Sequence, residues 1–253
     1  MTSENSNTLN SVEAACDVLD GLQELGGAGV TELAKEVNYS KSTVHRQLST
    51  LFEKEYVVKD DGVYRLSLRY LDMAAHVRSE IENYDVIKKE VDNLAEETGE
   101  VAQFATEEHG RVVYLYKSKG KSGVETSSNV GTREFLHSTS LGKSILAQMP
   151  RDQVEYVIDR HGMPTKTNNT VTEYEELVDE LEEIEERGYA LDNEENVTGL
   201  RCVAAPVLDG DIILGSVSVS GPSRRVKGDR FRDDLPEAVI RTANIIQLNS
   251  KFS

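Results

Sequence analysis

The stretch Ser40-Lys41-Ser42-Thr43-Val44-His45-Arg46-Gln47-Leu48-Ser49-Thr50-Leu51-Phe52-Glu53-Lys54 decides how this 253-residue chain is read. Val44, Leu48 and Leu51 recur at i, i+4 and i+7, which turns one face of a helix toward a core. That helix is opened by Ser40 or Lys41 and runs to about Lys54. Its opposite face carries Ser42, Thr43, Arg46, Gln47 and Thr50, short polar groups and one guanidinium suited to phosphates or base edges in a major groove. A plain solvated surface helix has a similar composition, so the neighbouring segments must arbitrate.

Upstream, Leu9, Val12, Ala15, Cys16, Leu19 and Leu22 stand at helical spacing, and Gly26-Gly27-Ala28-Gly29 stops that helix. Thr31 is placed to cap a short second helix over Glu32 to Val37, and Asn38-Tyr39-Ser40 forms a polar turn before the third. Downstream, Tyr56 to Lys59 reads as a strand, Asp60-Asp61-Gly62 as a turn and Val63 to Leu68 as the returning strand. Three helices and a glycine-turn hairpin make a winged helix-turn-helix over residues 1–69. Lys41 at the helix start and Lys59 and Arg65 on the wing would then stand near a phosphate backbone.

Residues 70–84 read as a linker helix, with Leu71, Ala74, Ala75, Val77 and Ile81 among polar residues. From residue 85 to 253 the pattern changes. A helix over Asp85 to Thr98 precedes strands at Glu100 to Thr106 and Arg111 to Lys117, joined through Glu107-Glu108-His109-Gly110. Helices are expected at Leu141 to Gln148, at Asp152 to Arg160 and after Thr172, where Thr172 and Glu175 have capping-box spacing. Strands return at Tyr189 to Asp192, Arg201 to Leu208 and Ile212 to Ser220, before a last helix from about Asp229. The fold class is therefore α+β in two domains, the second an antiparallel sheet with flanking helices.

A net charge of −17 opposes binding to a polyanion. The charge is unevenly spread, however. Nine acids lie between Val171 and Arg187 (Glu173, Glu175, Glu176, Asp179, Glu180, Glu182, Glu183, Glu185 and Glu186), most simply a solvated face. Residues 38–59 instead carry Lys41, Arg46, Lys54 and Lys59 against Glu53 and Glu55. An acidic, tryptophan-free chain also suits a salt-rich cytosol. The polar opening MTSENSNTLN does not read as a secretory signal, and no apolar run is long enough for a membrane span, so the expected compartment is the cytoplasm. Cys16 and Cys202 lack the spacing of a disulfide framework or zinc site, and no metal or other cofactor is expected.

Further motifs are Leu136-His137-Ser138-Thr139-Ser140-Leu141-Gly142-Lys143-Ser144-Ile145-Leu146-Ala147, Arg187-Gly188-Tyr189-Ala190-Leu191-Asp192-Asn193-Glu194-Glu195, Gly199-Leu200-Arg201-Cys202-Val203-Ala204-Ala205-Pro206, and Ser218, Ser220, Gly221 and Pro222. With Glu32 to Val37 and Ser40 to Leu48, their order and spacing resemble the IclR-type transcription regulators over nearly the whole chain. The resemblance implies a C-terminal GAF-like effector domain, a homodimer or homotetramer, a palindromic double-stranded DNA operator and a small-molecule effector. It also implies a ligand site at Ser140, Leu141, Asp192, Cys202, Ser218 and Ser220. Members that take small keto acids often have a Gly-Ala pair where Ser140-Leu141 stands here, and Lys143 can either cap or contact the ligand.

Two other functions are weighed from the residues. A small-molecule hydrolase would use Cys202 as nucleophile, His137 as base and Asp192 as orienter. No G-x-S-x-G elbow, phosphate-binding glycine loop or HExxH accompanies them, so no catalytic residue is assigned. A protein-interaction module would turn its winged helix toward a partner rather than DNA.

Overall fold

The computed structural model describes residues 8–126 and 128–250, so positions 1–7 of the polar opening lie outside the described residues. The chain forms two compact units, one up to Ile81 and one from Glu82.

The first unit holds α1 (Asn10–Leu25), α2 (Val30–Glu36), α3 (Lys41–Glu53), β1 (Val57–Asp60), β2 (Val63–Leu66) and α4 (Arg69–Ser79). Val44, Leu48 and Leu51 of α3 are buried against Val18, Leu22, Leu33, Val57 and Tyr64. The Ser40 hydroxyl caps α3 by accepting from the Thr43 N–H at 3.1 Å. The β1–β2 hairpin turns through Asp61 (φ 44°) and Gly62 (φ 81°), left-handed residues of the kind that suit a tight antiparallel turn. This is a winged helix-turn-helix.

Three local readings are corrected in this unit. The buried face of α1 is Ala14, Val18, Gly21 and Leu22, whereas Leu9 and Val12 are 69% and 55% exposed and Cys16 faces outward. Apolar residues surround most of that helix, so spacing alone did not select the face. Close packing against α2 did: a Cβ on Gly21 would fall within 2.9 Å of Leu33 and Val37 side-chain atoms. Thr31 does not cap α2, which starts at Val30, two residues before the expected Glu32, with Gly29 at the cap position. Ala28 exchanges backbone hydrogen bonds with Tyr64 at 2.9 and 3.0 Å, and this bridge sets where the chain enters the helix. Finally, α4 spans Arg69–Ser79 and buries no residue.

The second unit runs α5 (Tyr84–Thr98), β3 (Val101–Glu108), β4 (Arg111–Lys119), β5 (Arg133–Phe135), α6 (Ser140–Leu146), α7 (Arg151–His161), α8 (Tyr174–Arg187), β6 (Ala190–Asn193), β7 (Leu200–Asp209) and β8 (Ile212–Pro222). A π-helical turn, Arg230–Asp234, leads into α9 (Leu235–Ser250). The six strands form one antiparallel sheet in the order β5-β4-β3-β8-β7-β6.

Side-chain parity divides the sheet. Ala102, Phe104, Val203, Ala205, Val217 and Val219 pack under α5 and α9. Ala105, Val112, Tyr114 and Ala204 face the other layer, built by α6, α7 and α8. The β3–β4 turn is tighter than the sequence suggested, with only His109 (φ 56°) and Gly110 (φ 77°) between the strands. Short β5 carries no alternation signal and was not anticipated. The Thr172–Glu175 capping box does not form, because α8 begins at Tyr174 with Glu173 at its cap position and no side-chain cap.

Glycine is required inside α6 for a specific reason: a Cβ on Gly142 would lie 2.2 Å from the Leu136 carbonyl oxygen. Gly142→Ala, which ordinarily favours a helix, is expected to destabilise the second unit by about 1–3 kcal/mol through overpacking. Denaturant unfolding checks this, and an unchanged or raised midpoint would refute the close approach.

Candidate functional site

Two groups of residues were singled out by sequence, one in each unit. On α3, Lys41, Ser42, Arg46 and Thr50 are exposed, while Thr43 and Gln47 are half-buried. The Ser42 and Thr43 hydroxyls lie 2.8 and 2.9 Å from the capping Ser40 hydroxyl, so the cap draws on both. Thr50 donates back to the Arg46 carbonyl at 3.1 Å. Arg46 makes no ion pair among the described residues, which leaves its guanidinium available. His45 and Ser49 share this outward side and were missed. Helical periodicity places both there. On the wing, Lys59 and Arg65 are exposed, and the Lys59 ammonium stands 5.0 Å from the centre of the Tyr64 ring.

In the second unit, Ser140, Leu141, Asp192, Cys202, Ser218 and Ser220 come together around one cavity on the α6 side of the sheet. Strand register builds its floor: Asp192 pairs with Cys202, Cys202 with Ser220, and Ser218 with Gln103. The cavity volume is small, about 30 Å³. Gln103, Tyr114, Thr126, Ser128, Glu134 and Asn196 also line it and were missed from sequence. Gln103 has the alternation parity of an inward residue, but nothing local indicated which strand would lie beside it.

The polar groups are unequally satisfied. Gln103 donates to the Ser128 hydroxyl at 2.6 Å and accepts from Ser220 at 3.3 Å, and Ser220 also lies 3.1 Å from the Cys202 sulfur. The fully buried Ser140 and Ser218 hydroxyls have no hydrogen-bond partner. Unsatisfied buried hydroxyls are costly, and two in one cavity mark it as a place where a ligand can supply partners.

Asp192 accepts from the Glu195 and Asn196 N–H groups at 2.7 and 3.4 Å. Burial, reinforced by the nearby Glu195 charge, nevertheless pushes its carboxyl up to about 7. Because the folded state holds this proton more tightly than the unfolded chain, the associated stability is full below the ordinary value of 3.8 and is lost as pH rises toward 7. Asp192→Asn keeps an acceptor for both N–H groups. It is expected to flatten the fall in stability between about pH 4 and 7 and to unfold at higher denaturant than the wild type at pH 8. An unaltered pH slope would reassign the effect to another group.

Lys143 does not line the cavity. Its ammonium is buried behind it, 2.7 and 2.8 Å from the Glu195 carboxylate oxygens and 2.6 Å from Glu180. Burial opposes its charge, but the two carboxylates outweigh burial and raise its pKa. Glu180 is thus the member of the acidic α8 face that turns inward. The hydrolase arrangement is not assembled. Burial and the Asp192 charge hold the Cys202 thiol well above its ordinary value. His137 sits away from the cavity lining, its Nε2 3.2 Å from the Pro164 carbonyl, and burial lowers its pKa. Among the described residues no cluster of three His, Cys, Asp or Glu side chains could hold a metal ion, and no helix is long and apolar enough to cross a membrane.

Comparison with known proteins brings both units into one frame. The model of the C-terminal domain of bacterial IclR transcriptional regulators matches residues 75–248, and that of the IclR helix-turn-helix domain matches residues 11–61. A probable HTH-type transcriptional regulator, ArcR of Halobacterium salinarum, is 31% identical over 245 residues, covering 95% of this chain and 93% of that protein. The crystal structure of the Thermotoga maritima IclR superposes with a TM-score of 0.76 at 28% identity, covering 96% of this chain and 99% of that one. An IclR homologue from Microbacterium hydrocarbonoxydans complexed with 4-hydroxybenzoate shares the fold at 20% identity, with a TM-score of 0.80 over 96% of this chain and all of that one.

Proposed function

The chain belongs to the IclR family of transcriptional regulators, and from that premise we propose that it binds a palindromic double-stranded operator through α3 and the wing and releases or retains it according to a metabolite held in the second unit. Lys41, Ser42, Thr43, Arg46, Gln47 and Thr50 read the major groove, and Lys59 and Arg65 contact the backbone. Ser140, Leu141, Asp192, Cys202, Ser218 and Ser220 hold the effector. The observation that carries this reading is the convergence of those six residues, drawn from α6 and three strands, on one cavity with two unpartnered hydroxyls.

The working form is a homodimer or homotetramer in the cytoplasm, without catalytic activity. Self-association is supported by α4, a helix of mixed polarity whose apolar side chains Leu71, Met73 and Val77 are 67%, 44% and 60% exposed. Residues 70–84 act as the linker between a DNA-binding domain at 1–69 and an effector domain at 85–253. An effector with unequal affinity for two dimer arrangements then changes the spacing of the two recognition helices, and operator affinity follows by linkage.

Titration of the full chain against the DNA upstream of its own gene tests this. Binding should weaken steeply as salt rises, because neutralised phosphates release counterions. Absence of binding at low salt would favour the protein-interaction module instead.

A further inference from the structure

Within the second unit, positive charge gathers in a cleft outside the effector cavity, although the chain as a whole carries a net charge of −17. The cleft is open, about 430 Å³ in volume, and lined by His109 from the β3–β4 turn, Arg111 of β4, Arg133 of β5 and Arg160 and His161 at the end of α7. None of these five lines the effector cavity. The hairpin tip and α7 are locked together: His161 Nε2 donates to the His109 carbonyl at 2.7 Å, and a Cβ on Gly110 would fall 2.6 Å from the His161 ring. Strand register sets Arg111 opposite Phe135, two positions along β5 from Arg133, and the Arg111 guanidinium stacks 3.6 Å from the centre of the Phe135 ring. Arg160 and His161 also complement the C-terminal carbonyls of α7, but that role does not account for Arg111 and Arg133.

These charges are poorly compensated. Arg111 has no ion pair among the described residues, and Arg160 bonds there only to the Tyr156 hydroxyl, at 3.2 Å. Arg133 meets Glu108 at 3.6 Å with both side chains half exposed or more, a weak surface pair that a ligand can exchange. Glu107 and Glu134 are engaged elsewhere, the first accepting from the Gly110 N–H at 2.6 Å and the second holding Lys166 at 3.1 Å. Burial lowers the pKa of Arg111, and the Arg133 charge adds to that effect against a partial offset from Glu134.

We propose that this cleft is a second ligand site, for a compound carrying a diphosphate group. Its three guanidiniums come from two strands and a helix and so approach from different directions, which suits tetrahedral phosphoryl oxygens, whereas the two coplanar oxygens of a carboxylate engage one fork. One phosphoryl group carries about −1.5 to −2 charges near neutral pH, so two linked groups are needed to balance three guanidiniums. The volume falls in the ordinary range of small-ligand sites. A cleft lined by one sign of charge concentrates its counter-ions, and here it does so on a protein whose net charge otherwise repels them.

Calorimetric titration of the full chain with pyrophosphate, orthophosphate and citrate at about 0.15 M sodium chloride tests this. One saturable site per chain is expected, with pyrophosphate bound about tenfold or more tightly than either of the others. Arg111→Gln and Arg160→Gln should each weaken it about tenfold, since each removes a charge-assisted contact. Arg160 is exposed, so its variant keeps the test independent of any folding defect in Arg111→Gln. Arg151→Gln, at the other end of α7, controls for the loss of one positive charge and should leave binding unchanged. Orthophosphate or citrate binding as tightly as pyrophosphate overturns the diphosphate assignment. Absence of saturable pyrophosphate binding, or equal loss in all three variants, overturns the site. Loss with Ser218→Leu but with neither cleft variant would place the diphosphate in the effector cavity instead. A change of oligomeric state or of duplex DNA affinity in Arg160→Gln would assign the cleft to a second copy or to nucleic acid and overturn the proposal.

Discussion

Replacing Lys143 by methionine is expected to destabilise the effector unit by about 3–5 kcal/mol, because it strands two carboxylates around a buried apolar side chain. The wild-type ammonium is fully buried and bonded to both Glu195 and Glu180, and Glu195 is itself only 7% exposed. Removing one partner of a buried ion pair leaves an uncompensated charge, whereas removing both can be nearly neutral. The double variant Lys143→Met with Glu195→Gln should therefore recover much of the loss. Chemical denaturation reads both, and molar salt should rescue little, since buried charges are weakly screened. A loss below about 1 kcal/mol in the single variant, the range of a surface pair, would mean that the triad is solvated in solution.

Arg46→Ala is expected to weaken operator binding by about 1–3 kcal/mol, a factor of roughly 5 to 150, while the fold and the effector site are unaffected. Arg46 is exposed on the outward side of α3 and has no ion-pair partner among the described residues, so its loss costs the folded state little. The form of the loss identifies the contact. If the guanidinium reads a base edge, discrimination at one operator position relaxes. If it neutralises a phosphate, affinity falls evenly across sequences and the salt slope drops by about one. Equal operator affinity in wild type and variant would remove Arg46 from the interface.

Much of the architecture could be read from local patterns. The 3.6-residue period in α3 and the glycine turn of the wing each constrain residues a few positions apart, and these elements appear where expected. Errors arose where local pattern was ambiguous or a distant contact overrode it. The apolar surround of α1 allowed several faces, the Ala28–Tyr64 bridge moved the start of α2, and three-residue β5 is too short to alternate.

Taken alone, the sequence determined the two-domain organisation, the outward face of α3 and the identity of six cavity residues through their motifs. Only the tertiary structure decided that those six share one cavity, because sheet order places β8 beside β3 and brings Ser218 opposite Gln103 across more than a hundred residues of chain. Likewise, Lys143 looked free to cap or to touch a ligand until Glu180 and Glu195, 37 and 52 residues away, closed around it. The physical reason is common to both. Backbone periodicity is a property of neighbours, while burial, charge compensation and hydrogen-bond satisfaction depend on which distant elements pack together.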